Sequence, residues 1–233
     1  QHHKLAGLNV KTSNLCSEIT LPTGIDKDGR DRTAVCCLSS LNLEKYDEWK
    51  DDKNVINDVM RFLDNVLSDF IIRAPEQFND AKYSAEKERS VGLGVMGLHS
   101  YMQKNMIPLG SVMSKVWNKK IFKDIQEKVD RASKDLAEER GACPDAADYD
   151  INERFSNKTA IAPTASISII CGGASPGVEP VAANSYTHKT LSGSYNVRNR
   201  YLQEILEKHG KNNDETWSGI TANQGSVSHL DYL

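Results

Sequence analysis

An α/β fold is what this sequence predicts, and three observations predict it. Apolar residues recur at intervals of three and four in two long stretches, the spacing of amphipathic helices. Segments rich in β-branched and small residues, bounded by Gly and Pro, alternate with them as strands would. No internal repeat or low-complexity linker divides the 233 residues, so one domain over 1–233 is expected.

Taken in order, Leu8 to Leu21 suits an extended segment closed by Pro22, and Gly24 to Arg30 reads as a polar, hairpin-like turn. Thr33 to Leu43 suits a second strand. Beyond Tyr46, the positions Ile56, Val59, Met60, Leu63, Val66, Leu67, Phe70 and Ile71 form one helical face, which Pro75 ends. A second long helix is predicted from near Ser114 to Arg140, because Val116, Trp117, Ile121, Ile125, Val129, Ala132 and Leu136 share a face and Gly141 supplies a stop. Cys143 and Pro144 then start a loop. Thr159 to Ile170 reads as a strand, broken by Gly172, Gly173, Pro176 and Gly177. Tyr201 to Lys208 is a short helix before Gly210.

Hydrophobic residues make up 39% of the chain, enough for one substantial core or two modest ones. Lys and Arg total 29 against 32 Asp and Glu, a net charge of -3 with neither sign gathered into a block, which argues against nucleic-acid and membrane partners. No run approaches the roughly 18 apolar residues of a membrane span, and no signal-peptide core precedes the first elements, so a cytoplasmic protein is the default. Five cysteines, Cys16, Cys36, Cys37, Cys143 and Cys171, are an odd count without zinc or disulfide-framework spacing, so reduced thiols are expected. The chain starts at Gln1 rather than Met and stops at Leu233 directly after a predicted element, and a longer protein is expected on both sides.

The chemistry is concentrated in Ser13-Asn14-Leu15-Cys16-Ser17-Glu18-Ile19. In extended backbone Asn14, Cys16 and Glu18 would share a face, bringing an amide, a thiol and a carboxylate into one site suited to a hydroxylated substrate. On spacing alone the plainer reading is preferred: a half-buried strand whose cysteine packs as a small hydrophobe. Resemblance changes that balance. The Asn-x-Cys-x-Glu pattern of Asn14, Cys16 and Glu18 resembles the signature of ribonucleotide reductase large subunits. Ala34-Val35-Cys36-Cys37-Leu38-Ser39-Ser40-Leu41-Asn42-Leu43 resembles the redox-cysteine strand of that family, and Ala162-Pro163-Thr164-Ala165-Ser166-Ile167-Ser168 its substrate-phosphate loop. Ser175-Pro176-Gly177-Val178-Glu179-Pro180 continues the match, so ordered motifs span essentially the whole chain.

The resemblance implies part of a ten-stranded α/β barrel with a central finger loop, and reduction of ribonucleoside diphosphates to deoxyribonucleotides. It implies that Cys16, inside the barrel, bears the thiyl radical that removes the substrate's 3' hydrogen. Glu18 would be the general base on the 3' hydroxyl, Asn14 would orient the sugar hydroxyls, and Cys36 would be one of two reducing thiols, its partner lying upstream of residue 1. Substrate contacts are assigned to Asn14, Leu15, Cys16, Ser17 and Glu18, and to Pro163, Thr164, Ala165, Ser166, Ile167 and Ser168, whose hydroxyls and backbone N–H groups suit phosphate. No cofactor or metal is expected on this chain. A small subunit containing a metal would supply the radical, thioredoxin or glutaredoxin the electrons, and the complete large subunit would be a homodimer. The Pro-Thr-Ala-Ser wording fits the aerobic class with a separate small subunit. Alone, the piece is expected to be inactive. Two other classes stay open: a non-radical thiol enzyme, which lacks a histidine near Cys16, and a non-catalytic nucleotide- or subunit-binding fragment.

Other features are given plainer readings. Gly92-Leu93-Gly94-Val95-Met96-Gly97 fits a dinucleotide fingerprint, but it follows Glu86-Lys87-Glu88-Arg89 rather than an apolar strand and lacks the acidic residue about twenty positions on, so close helix packing is the expected reason for its glycines. Cys37, Cys143 and Cys171 are read as core packing, and Lys189, Arg198 and Arg200 as solvated. His2, His3, His99, His188, His209 and His229 show no metal-ligand spacing.

Overall fold

The computed structural model describes residues 6–191 and 193–233. Its elements, in chain order, are β1 (Gly24–Ile25), β2 (Asp31–Arg32), β3 (Cys37–Asn42), α1 (Tyr46–Trp49), α2 (Val55–Arg73), α3 (Asn79–Glu88), β4 (Val91–Met96), α4 (Leu98–Lys104), α5 (Val112–Arg140), α6 (Pro144–Ala147), α7 (Ile167–Ile170), β5 (Ser185–Thr190), β6 (Gly193–Arg198), α8 (Arg200–Lys208) and α9 (Asp214–Ala222).

The two long helices lie where their periodicity puts them. Ile56, Met60, Leu63 and Leu67 of α2 pack with Ile121, Ile125, Val129 and Leu136 of α5 in the main core, beside Val91, Leu93 and Val95 of β4. Leu67 is fully buried, and removing such a side chain to Ala costs about 2–5 kcal/mol. Ala74 caps α2 just before Pro75, and Gly141 (φ 87°) ends α5. A separate, smaller cluster joins Leu202 and Leu206 of α8 to Trp217 and Ile220 of α9. Among the described residues no helix is long and apolar enough to cross a membrane.

The polar turn before Arg30 is a hairpin: β1 and β2 pair antiparallel, and the Asp26 carboxylate accepts from the backbone N–H groups of Asp28 (2.9 Å) and Arg30 (3.1 Å). β3 pairs in parallel with β4, from Cys37 opposite Val91 to Asn42 opposite Met96. The strand expected from Thr33 begins only at Cys37, because Thr33 is drawn aside to donate its N–H to Ser84 Oγ (2.7 Å).

Three expectations are corrected. Leu8 to Leu21 carries no strand: local hydrogen bonds of Asn14 and Ser17 fold its centre into a turn, as short polar side chains do when they compete with a ladder. Thr159 to Ile170 is not a strand either. It touches β4 through one parallel bridge, Leu93 to Thr159, then leaves the sheet at Pro163, passes Thr164 in the left-handed region (φ 52°) and enters α7. Cys143 and Pro144 begin the short helix α6 rather than a loop, with Pro at a first-turn position where its missing N–H is harmless.

The Gly-rich stretch is itself a fully buried strand, β4. Its glycines serve strand contact rather than helix packing: a Cβ on Gly92 would lie 2.4 Å from Leu38 Cδ2, and one on Gly94 only 2.1 Å from the Ala160 carbonyl oxygen. Absence of side chains there lets residues 159–161 cross against the sheet.

Candidate active site

The Asn14–Ile19 segment is a tight turn. Ser17 N–H donates to Asn14 O (3.1 Å), Asn14 N–H to Ile19 O (3.2 Å), and Ile19 N–H also reaches Asn14 Oδ1 (3.3 Å). Ser17 takes φ 62°, so the alternation expected of extended backbone does not hold. Leu15 is 99% exposed, Cys16 and Ser17 are exposed beside it, and Asn14 and Glu18 are half-buried at the base. The Asn14 carbonyl oxygen is spent on the turn. Its Nδ2 has no acceptor among the described residues and is free to donate.

Below the turn, Ile19 and Leu21 pack with Ala160 and with Leu38 of β3. This small cluster draws the three sequence motifs together: the cysteine turn, the strand after Cys36, and the approach to Pro163. Glu18 lines a cavity of about 390 Å³ with Gly94, Thr159, Ala160 and Ile161 on one side and Phe122 and Gln126 of α5 on another. Its Oε2 is enclosed and has no hydrogen-bond partner among the described residues. Burial, then the neighbouring Glu18 carboxylate, then Cys37 push the Cys36 thiol up to about 11, so Cys36 is a protonated thiol at neutral pH. The Glu18 charge is thus felt at the Cys36 thiol, which lies exposed on the surface of the described residues.

The cavity wall at Ile161 runs directly into the second set of site residues. Ala165, Ser166 and Ile167 are exposed, whereas Thr164 and Ser168 are buried and organise the turn. Thr164 Oγ1 accepts from Gly177 N–H (2.8 Å), Thr164 O accepts from Ser168 N–H (3.0 Å), and the Ser168 hydroxyl donates to Ala165 O (3.4 Å). The backbone N–H groups of Ala165, Ser166 and Ile167 donate to nothing among the described residues, leaving three adjacent donors at the surface. Pro163, which has no N–H to donate, is exposed at the turn's start.

A family model described as "Ribonucleotide reductase, barrel domain" matches residues 1–153 and 149–233. The chain belongs to the ribonucleotide reductase barrel-domain family. Among its relatives, the ribonucleoside-diphosphate reductase large subunit of Invertebrate iridescent virus 3 is 44% identical over 236 residues, covering 100% of this chain and 36% of the relative. That of Invertebrate iridescent virus 6 is 48% identical over 217 residues, covering 92% and 22%. The Actinobacillus ureae class Id ribonucleotide reductase alpha subunit superposes with a TM-score of 0.88 at 38% identity, over 100% of this chain and 42% of that one. The chain thus spans between about a fifth and two fifths of these relatives, and its β3–β4 sheet with flanking helices is part of the reductase α/β barrel.

Within this reductase barrel portion, Cys143 is buried as expected and burial raises its thiol to about 12. Cys37 is half-buried against the main core. Cys171 is exposed, contrary to the packing reading, because it closes α7 at the surface. Arg200 is not simply solvated: it donates to Glu44 Oε2 (2.6 Å) and to Gly172 O (2.9 Å). Two contributors escaped the sequence reading, Gly177 as the tether of Thr164 and Ser175, which exchanges hydrogen bonds with Ser100 (3.1 and 2.9 Å). Their signal was the Ser175–Pro180 motif, which holds the Thr164–Ser168 turn from the side.

Proposed function

We propose that this chain is the radical- and substrate-carrying portion of a ribonucleotide reductase large subunit that converts ribonucleoside diphosphates to deoxyribonucleoside diphosphates. The observation that carries the proposal is the placement of Glu18, with its enclosed unpartnered oxygen, on a cavity whose wall at Ile161 leads into the Pro163–Ser168 turn, while Leu38, two residues beyond Cys36, packs against the same Ala160. Residues 1–233 act as one barrel portion, in the cytoplasm, where thiols stay reduced.

The substrate diphosphate rests on the free amides of Ala165–Ile167, with Thr164 and Ser168 shaping the turn. Asn14 Nδ2 donates to a sugar hydroxyl, and Leu15, Cys16 and Ser17 close over the ribose. A thiyl radical on Cys16 takes the 3' hydrogen atom, restoring its S–H bond and leaving a carbon radical. Glu18 accepts the 3' hydroxyl proton, and the 2' hydroxyl departs as water with a proton from Cys36. The second thiol gives its hydrogen atom to the 2' carbon as it closes into a disulfide with Cys36; the remaining electron of that pair, with the proton returned by Glu18 to the 3' oxygen, restores the 3' carbon radical, and Cys16 returns its hydrogen atom to the 3' carbon. The radical itself is generated by a metal-containing small subunit, and thioredoxin or glutaredoxin reopens the disulfide. The complete large subunit works as a homodimer.

Cys16→Ala in the complete large subunit, assayed with its small subunit, is the test. Loss of turnover with diphosphate binding retained is the expected result. Continued product formation in that variant overturns the radical assignment and leaves a binding role.

A further inference from the structure

Gly172 and Gly173 follow α7 with φ of 89° and 70°, and neither has an atom within 4 Å of where a Cβ would lie. Glycine backbone in open space takes its conformation from whatever holds it, since its own preferences are weak. Here two side chains from other elements hold it. Asn42 Nδ2 donates to Cys171 O (3.2 Å), and Arg200 Nη1 donates to Gly172 O (2.9 Å).

Both donors are tied to one residue, Glu44. Its backbone N–H donates to Asn42 Oδ1 (3.0 Å), its Oε2 accepts from Arg200 Nη2 (2.6 Å), and its Oε1 accepts from the Tyr201 hydroxyl (2.6 Å). The Glu44 side chain is 11% exposed, so these bonds are sheltered on that side. A guanidinium can span a carboxylate and a carbonyl at once; an ammonium on a flexible stem lacks that fork. Asn42 is the last residue of β3, the strand that begins one residue after Cys36. Slack at 171–173 would pass straight into the turn, because Ala174 N–H donates to Ser168 O (3.0 Å) and Ser168 N–H to Thr164 O (3.0 Å).

We propose that Glu44 and Arg200 are positioning residues that clamp the Cys171–Gly173 end of the phosphate turn to β3, and so set how tightly the Pro163–Ser168 turn binds a diphosphate. The inference rests on the phosphate reading of that turn given above. Neither residue need touch the anion. Their effect is to keep three amides aligned before it arrives, which lowers the ordering cost of binding.

The experiment titrates inorganic pyrophosphate into the full chain and into Arg200→Ala, Arg200→Lys and Glu44→Gln, by calorimetry. Amide hydrogen exchange over residues 164–174 is followed without ligand, and melting checks each fold. Arg200→Ala is expected to weaken pyrophosphate binding about tenfold, the scale of a lost charged hydrogen bond, and to speed exchange across the turn. Arg200→Lys keeps the ion pair with Glu44 and hence the melting behaviour of the parent, yet still binds more weakly; a purely structural role predicts full recovery. Equal affinity and exchange in parent and variants overturn the clamp alone. A parent chain that takes up no pyrophosphate overturns the phosphate reading and the clamp with it.

Discussion

In one part of the main body Asp64, wholly buried, receives three guanidiniums: Arg89 and Arg154 on Oδ1 (both 2.9 Å) and Arg140 on Oδ2 (2.8 Å). In another, Arg32 faces three carboxylates: Asp26 (2.7 Å), Asp145 in a two-point contact (2.8 and 2.9 Å), and Glu88 at 3.5 Å. The two networks are inverses, with excess positive charge in the first and excess negative charge in the second, and they dispose of it differently. Arginine does not give up its proton in a protein, so the first network spreads its charge. Arg154 also donates to the carbonyls of Arg140 and Gly141, and Arg140 stays 28% exposed. Burial acts to raise the Asp64 carboxyl, but the Arg154 hydrogen bond, the Arg89 charge and the Arg140 hydrogen bond outweigh it and hold it low.

The second network relieves itself with a proton. Burial pushes Glu88 up to about 8, against the pull of Arg32 and a hydrogen bond from Ser90, with Asp145 adding to the rise. Its Oε1 is enclosed without a hydrogen-bond partner among the described residues, as suits a carboxyl that is neutral near pH 7. Asp26 goes the other way: burial would raise it, but hydrogen bonds from Arg32, the Arg30 amide, Tyr83 and the Asp28 amide hold it down at about 2. Inverse charge layouts thus produce different pH behaviour. The Arg32 network also anchors the β1–β2 hairpin, which lies in the chain between Cys16 and Cys36.

Asp64→Asn is the strongest way to break the comparison. It strands three buried or half-buried guanidiniums and is expected to cost about 3–5 kcal/mol by denaturant unfolding. A loss below about 1 kcal/mol would mean that the surrounding carbonyls already carry the network. Arg32→Met comes next, with an expected loss of about 2–4 kcal/mol at pH 8, smaller at pH 5 where Glu88 is neutral in the folded parent and the folded variant alike. A loss that does not shrink on acidification removes Glu88 from the explanation. The smallest effect at neutral pH belongs to Glu88→Gln, which sharpens the contrast. A carboxyl whose folded value is raised stabilises the fold fully below its ordinary value of 4.5, and that contribution is lost as pH rises through about 8. Parent stability should therefore fall on the order of 1–4 kcal/mol from this group across that window, and the Gln variant should lack the fall. Identical pH profiles for the two chains would show that Glu88 is charged in the fold. Asp26 and Asp64 act at the other end, their contribution being lost only as pH drops below the ordinary aspartate range.

The long helices were legible because their signal is local and repeated: Ile121, Ile125 and Val129 lie on one face of any helix they form. The three motifs were legible as residue types in order. Less of their geometry was, and for a common reason. Alternation around Cys16 suggested a strand, yet a strand needs a partner, and Asn14 and Ser17 found nearer hydrogen bonds. Small residues from Thr159 onward suggested a strand for the same reason, whereas Gly177 captures Thr164 and turns the chain toward α7. The glycines of β4 looked like helix contacts because nothing in their vicinity along the chain mentions Ala160, 66 to 68 positions away.

The sequence by itself determined the two long helices and the short one ending at Lys208, the hairpin turn after Gly24 and which side chains could carry chemistry, since periodicity, turn residues and functional groups are properties of short stretches. Only the tertiary structure decided that the Glu18 charge is felt at Cys36, that Arg32 and Asp64 are buried at the centres of opposite networks, and that Arg200 reaches the loop behind the Pro163–Ser168 turn. Each of those is an interaction between residues far apart in the chain, and its energy depends on burial and distance, which no local pattern encodes.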